Sequence, residues 1–157
     1  MDFSIRPAVI GDVDIILRFI KELAEYERMS ELVVATPELL REWIFERERA
    51  EVLIGEVDGL VVGFALYFHN FSTFLGRAGI YLEDLYVTPS MRGRGCGKML
   101  LKRLAAIAVE RGCGRLEWSC LDWNESSIAF YRSLGAAAME DWTMYRVDGE
   151  VLARLAE

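Results

Sequence analysis

Cysteine, proline and histidine are scarce in this chain: three, three and one among 157 residues. Cys96, Cys113 and Cys120 are odd in number and form no CxxC pair. No secretory signal is apparent, so reduced thiols in a cytoplasm are expected rather than disulfides. A single His69 leaves no imidazole and thiolate set at metal-ligand spacing, and no metal is expected. The longest uncharged stretch, Gly59 to Gly76, is broken by His69, Asn70, Ser72 and Thr73 and follows a turn-like "VDGL", which argues against a membrane span. Repeats, low-complexity tracts and linkers are missing too, so residues 1–157 are expected to form one domain. With 53% apolar residues, a chain of this length can bury about two thirds of the surface its unfolded form exposes. The net charge of −7 disfavours nucleic acid as a partner and favours a small cationic molecule. Acid is itself missing from one stretch. Between Leu85 and Val109 there is no carboxylate, while Arg92, Arg94, Lys98, Lys102 and Arg103 all fall there.

What is present reads as alternating strands and helices. Phe3, Ile5 and Pro7 alternate with polar residues as a first strand. Asp12 is a candidate N-cap for a helix with Val13, Ile16, Leu17, Ile20, Leu23 and Ala24 on one face, ending near Arg28. "ATPELLREWIF" predicts a second helix capped by Thr36, with Leu39, Leu40, Trp43 and Ile44 inward. "EVLIGEV" and "LVVGFALYF" flank Asp58-Gly59, a strong hairpin signal. An aromatic, polar loop, "HNFSTFLGRAG", then leads to a strand "IYLEDLYV". A glycine loop precedes a helix from about Gly97 to Arg111, "RLEWSCL" reads as a strand, and Asn124 caps a helix closed by Gly135. "WTMYRV" is the last predicted strand. This order predicts an α/β protein in the α+β sense: a mixed sheet with helices on both faces.

"MRGRGCGKML" holds the chemistry. A strand that runs into glycines and then a helix aims several backbone N–H groups and the positive end of a helix dipole at one point, where phosphates bind. Gly93, Gly95 and Gly97 let the backbone approach a ligand, and Arg92, Arg94 and Lys98 can add charge-assisted hydrogen bonds. The spacing excludes a P-loop, because Arg92 stands where its first glycine is needed and Met99 where its Ser or Thr is needed. It excludes the dinucleotide fingerprint as well, since the glycines alternate without the two-residue gap. By spacing alone a solvated glycine turn remains the alternative.

"RGRGCG" resembles the [QR]-x-x-G-x-[GA] loop of the GNAT acetyltransferases, and "LDWNESSIAFYRSLGA" resembles their second segment. "IRPA", "IKELAEYE", "YLEDLYV" and "WNESSIAFYRSLGA" are similar to the diamine (spermidine/spermine) N-acetyltransferase branch and its bacterial relatives. The resemblance implies the acyl-CoA N-acyltransferase fold, a mostly antiparallel sheet splayed between residues 79–87 and 115–121, with acetyl-CoA as cosubstrate. It places backbone groups of Leu85, Tyr86 and Val87 on the acetyl-pantetheine arm and wraps Gly93, Arg94, Gly95, Cys96, Gly97 and Lys98, led by Arg92, around the pyrophosphate. Asn124 and Ser127 would touch the pantetheine or adenylate side. A homodimer is also implied.

The reaction sets its own requirements. An alkyl ammonium with a pKa near 10.4 is neutral in about one molecule in a few thousand at pH 7, a penalty of roughly 4.6 kcal/mol for the nucleophilic form. A base must take a proton before direct attack in a ternary complex, and an acid must return one to the departing thiolate. The resemblance assigns the base to Glu83, directly or through water, and the acid to Tyr131. Read as strand neighbours, Glu83 and Asp84 point to opposite faces, and Tyr131 by spacing alone is a core aromatic. The charge on a carbonyl under attack is expected to meet a backbone N–H near Tyr86. Tyr26, Glu27, Glu83 and Glu140 match positions that receive the amine, although Glu22, Glu25, Glu27 and Glu31 read equally as a solvated acidic face. Ser72 and Phe74 replace an aspartate and a tryptophan of the mammalian diamine enzymes, and Ser126 replaces a proline. The acceptor is thus a polyamine, a lysine analogue such as thialysine, or another small amine. The alternatives are a non-catalytic acyl-CoA sensor and a protein-directed acetyltransferase. The aromatic run from Phe68 to Phe74 points to an enclosed site rather than an open groove.

Overall fold

Asp58 and Gly59 have φ of 50° and 83°, the two left-handed residues of a type I′ turn, and the strands they join lie antiparallel as expected. The computed structural model describes residues 2–157. They form two units, one running to Ser119 and one from Cys120 to Glu157. The first unit holds a five-stranded sheet ordered β1-β2-β3-β4-β5, with β1 at Phe3–Pro7, β2 at Glu51–Val57, β3 at Leu60–Ser72, β4 at Arg77–Val87 and β5 at Leu116–Trp118. Each of the first four is antiparallel to the next, and β5 joins β4 in parallel.

Val52, Leu53, Ile54 and Gly55 are buried in succession, as a strand covered on both faces requires. On one face α1 (Val13–Tyr26) inserts Ile16 and Phe19 among Val52, Ile54, Phe64 and Tyr86, with Ile44 alongside. The Phe19 ring lies 5.7 Å from Phe64 and 5.4 Å from Tyr86, within range for tilted aromatic pairs. α3 (Cys96–Glu110) buries Leu100, Leu101, Leu104, Ile107 and Ala108, the face its period predicts, against the sheet.

Several local expectations are corrected. Asp12 does not cap α1 with its side chain. Its carboxylate accepts from the Arg6 guanidinium at 2.8 and 2.9 Å and from Val9 N–H at 2.7 Å, because a charged fork offers more than one orphan amide. Thr36 Oγ1 does accept from Leu39 N–H at 3.2 Å, and α2 (Pro37–Leu40) starts there. That helix opens into a π-helical turn, Arg41–Glu46, which changes the facing of its side chains. Ile44 is buried, but Leu39 and Trp43 are exposed, and the Arg47 guanidinium covers the Trp43 ring at 4.6 Å.

The expected loop at 69–79 is mostly strand. β3 and β4 keep pairing out to Ser72 and Arg77, since ladder bonds need no apolar side chains. Phe71 and Phe74 are exposed there, 66% and 82%, so this aromatic run does not enclose a site.

The second unit contains α4 (Glu125–Ser133) and α5 (Gly149–Leu155). "WTMYRV" forms no strand, and Trp142, Met144 and Tyr145 are exposed. β propensity without a neighbouring strand to accept the ladder bonds does not make a strand.

Candidate active site

β4 supplies both halves of the site. Leu66 lies opposite Asp84 and Tyr67 opposite Leu82, so Glu83 has no counterpart on β3 and forms a β-bulge. Opposed residues of an antiparallel pair share a face. Asp84 therefore sits on the side of Leu66, which packs on the α1 core. Tyr81, two residues before Glu83, pairs with Phe68 on that same side, ring to ring at 5.3 Å. The extra residue thus turns Glu83 and Asp84 to one face, where simple alternation puts them on two.

Glu27, just past the end of α1, completes a cluster of three carboxylates. Burial pushes Asp84 up to about 6, and the negative charges of Glu83 and Glu27 add to the effect. Burial, then Glu83, raises Glu27 as well. Glu83 itself is exposed. A group of this kind is stabilised by receiving a cation, because Asp84 and Glu27 are held where burial and neighbouring negative charge disfavour their own ionisation.

Beyond the bulge the free edge of β4 opens. Pairing with β5 covers only Ile80, Leu82 and the residue between them, which is the splay expected of the sheet. Thr88 N–H donates to Val62 C=O at 2.8 Å, so by strand alternation Tyr86 also turns its backbone toward β3. The amides that face away from β3 are those of Leu85 and Val87.

Gly93 and Gly95 follow with φ of 76° and 85°, and an added Cβ at either would meet nothing within 4 Å. Their role is conformational: only glycine takes this backbone freely. α3 begins at Cys96, and its ladder opens with Met99 N–H donating to Gly95 C=O at 3.0 Å. The amides of Cys96, Gly97 and Lys98 precede that bond, the groups a helix leaves without an intrahelical acceptor. Cys96 is buried and anchors the turn, whereas the side chains of Arg94 and Lys98 stand in solvent. This donor set fits a diphosphate: turned-out amides, a helix start, two exposed cations and no local carboxylate.

Arg92 is placed differently from its neighbours. Its Nε donates to Val87 C=O at 3.0 Å, and its guanidinium lies 5.3 Å from the Tyr26 ring and 5.4 Å from the Tyr86 ring. Tyr86 Oη in turn donates to Glu22 at 2.9 Å.

In the second unit, Asn124 Oδ1 accepts from Ser127 N–H at 3.4 Å, the cap its position predicts for α4. Tyr131 is half-buried on that helix beside Phe130, with ring centroids 5.6 Å apart. Glu140 is exposed in the turn before Trp142. Sequence reasoning undervalued Asp84 and the Tyr26–Arg92–Tyr86 contact, since a bulge leaves no composition signal and a cation over a ring depends on tertiary approach.

A strand with an open edge thus carries a glycine turn at one end and a carboxylate cluster at the other. The match to the acetyltransferase (GNAT) family model covers residues 17–136, and the chain belongs to this family. The family uses acetyl-CoA as cosubstrate. The chain is 42% identical to the thialysine N-epsilon-acetyltransferase of Bos taurus, over 97% of this chain and 96% of the relative. It is 38% identical to the spermidine/spermine N(1)-acetyltransferase-like protein 1 of Homo sapiens, over 98% of this chain and 24% of that longer protein. Among solved structures, an integron cassette protein from the mobile metagenome of V. cholerae superimposes with a TM-score of 0.83 at 30% identity, covering 100% of this chain and 99% of the other.

Proposed function

We propose that the protein moves the acetyl group of acetyl-CoA to the primary amine of a small cationic acceptor of the thialysine or polyamine type. The observation behind this reading is the cluster of Glu27, Glu83 and Asp84 beside the open edge of β4. Burial and then mutual repulsion raise Asp84 and Glu27, and an ammonium entering the cluster offsets both by favouring the charged carboxylates. The Bos taurus relative is named for acetylation of thialysine, an amine of that class.

When bound, acetyl-CoA supplies an activated thioester carbonyl. The amides of Gly93 to Lys98 would hold its diphosphate with Arg94 and Lys98, and Asn124 and Ser127 would meet its pantetheine or adenylate part. The chain's residues do the rest. Glu83, exposed on the bulge, takes the proton from the acceptor ammonium in a ternary complex, directly or through one water. Glu27 and Asp84 hold the acceptor's charge, and Tyr26 and Glu140 add to its reception. Leu85 and Val87 turn backbone N–H groups to the open edge, where a carbonyl oxygen gathering charge is met. Tyr131 returns a proton to the leaving sulfur. Residues 1–157 are read as one acetyltransferase domain, in keeping with a family match over residues 17–136.

The protein is read as a cytoplasmic homodimer. Trp142, Met144, Tyr145 and Leu155 are exposed and available to a second copy of the chain. Light scattering checks this, with a mass twice that of the chain expected.

The function is tested by thiol release from acetyl-CoA against a panel of polyamines, lysine analogues, amino sugars and peptides. A small diamine or thialysine-type acceptor is expected to give the fastest turnover. Tyr131→Phe is expected to lower kcat by about 10²–10⁴ and leave coenzyme A affinity near the parent's. Cofactor binding without turnover on any acceptor would instead mark a sensor, and turnover on peptides alone a protein-directed enzyme.

A further inference from the structure

Arg92 opens the glycine motif, yet its side chain turns back toward the body of the first unit. Its Nε is bonded to Val87 C=O, and two tyrosine rings lie within 6 Å of its guanidinium carbon. Tyr26 is the last residue of α1. Tyr86 belongs to β4 and is fixed by its hydrogen bond to Glu22, which also receives Arg18 at 3.1 Å. One guanidinium therefore touches the end of the acceptor-side helix, the end of the site strand and the start of the phosphate loop.

The same residues line a cavity of about 270 Å³ together with Glu25 and Pro89. Two carboxylates and two aromatic rings are what a substrate ammonium would seek. The cation already standing there is the chain's own.

We infer that Arg92 is a positioning residue, a cation of the chain's own that locks the phosphate loop to the acceptor-side helix through Tyr26 and Tyr86. The inference rests on the reading that this loop holds a diphosphate. It makes the loop's fit depend on an aromatic ring outside the loop, and it links occupancy near Tyr26 to affinity at the loop, since coupling between two sites is reciprocal. It also separates Arg92 from Arg94 and Lys98: their contribution is charge, whereas its contribution is a planar fork stacked near rings, which a lysine does not reproduce.

The test is a double-mutant cycle on coenzyme A affinity, measured by calorimetry with the full chain. Tyr26→Phe keeps the ring and is expected to hold affinity within about twofold. Tyr26→Ala is expected to weaken it about threefold, and Arg92→Lys by a similar factor although the charge is kept. The double variant is expected to be no weaker than either single one, because both remove one contact. Losses that multiply, or Arg92→Lys at parental affinity while Arg92→Gln fails, would overturn the inference and leave Arg92 as a simple phosphate charge. If the parent protein does not bind coenzyme A, the proposed function falls. The clamp is then judged by thermal unfolding of the same four proteins, where non-additive shifts in Tm support it and additive shifts refute it.

Discussion

At Glu83 and Asp84 strand β4 gathers negative charge in side chains, and at Gly93 to Lys98 the chain that continues from it gathers positive charge largely in its backbone. The carboxylate end is built from distant parts, a bulge and the end of a helix, and burial raises Asp84 and Glu27 above the ordinary carboxylate range. The glycine end is built from consecutive residues whose backbone angles set the geometry. One end is therefore sensitive to pH and to single charges. The other is sensitive to backbone conformation and tolerant of side-chain change.

The largest expected break in this contrast is Glu83→Gln. Losing the base is expected to lower kcat/KM for the amine by about 10²–10⁴ while coenzyme A affinity stays put, which steady-state kinetics and calorimetry together would read. Gly95→Ala strikes the other end. With open space around the site, its cost is the left-handed backbone alone, about 1–2 kcal/mol, or roughly tenfold in coenzyme A affinity.

Asp84 sharpens the comparison through pH. Its carboxyl is raised to about 6, so between the ordinary carboxylate range near 4 and about 6 the folded protein holds a proton that the unfolded chain has released. Stability from this group is full below that window and declines as pH rises through 6. Asp84→Asn is expected to flatten this decline in thermal melts and to move the acid limb of the kcat/KM profile downward from about pH 6. An unchanged limb would show that Asp84 does not govern acceptor binding. The smallest effect belongs to Arg94→Gln, a few-fold loss in coenzyme A affinity that shrinks as salt is raised, because an exposed charge is screened.

Much of this was legible before any coordinates. Thr36 and Asn124 cap the helices that follow them, Asp58-Gly59 makes the tight turn, and α3 begins within a residue of its expected start. Each is a local arrangement in which a side chain or backbone angle acts on residues a few positions away. The misreadings are of another kind. Asp12 met a distant guanidinium, Trp43 was turned outward by a π-helical turn, and the strand beyond His69 persisted where polarity suggested a loop.

The sequence by itself determined the order of elements as far as α4, the acid-free stretch and the glycine turn, because these depend on periodicity and on backbone angles that only certain residues adopt. Tertiary structure alone decided that Glu83 and Asp84 share a face with Glu27, that Arg92 lies over two tyrosines, and that "WTMYRV" stays out of the sheet. Register, burial and pairing are properties of what lies across from a residue, and adjacency in the chain does not fix them.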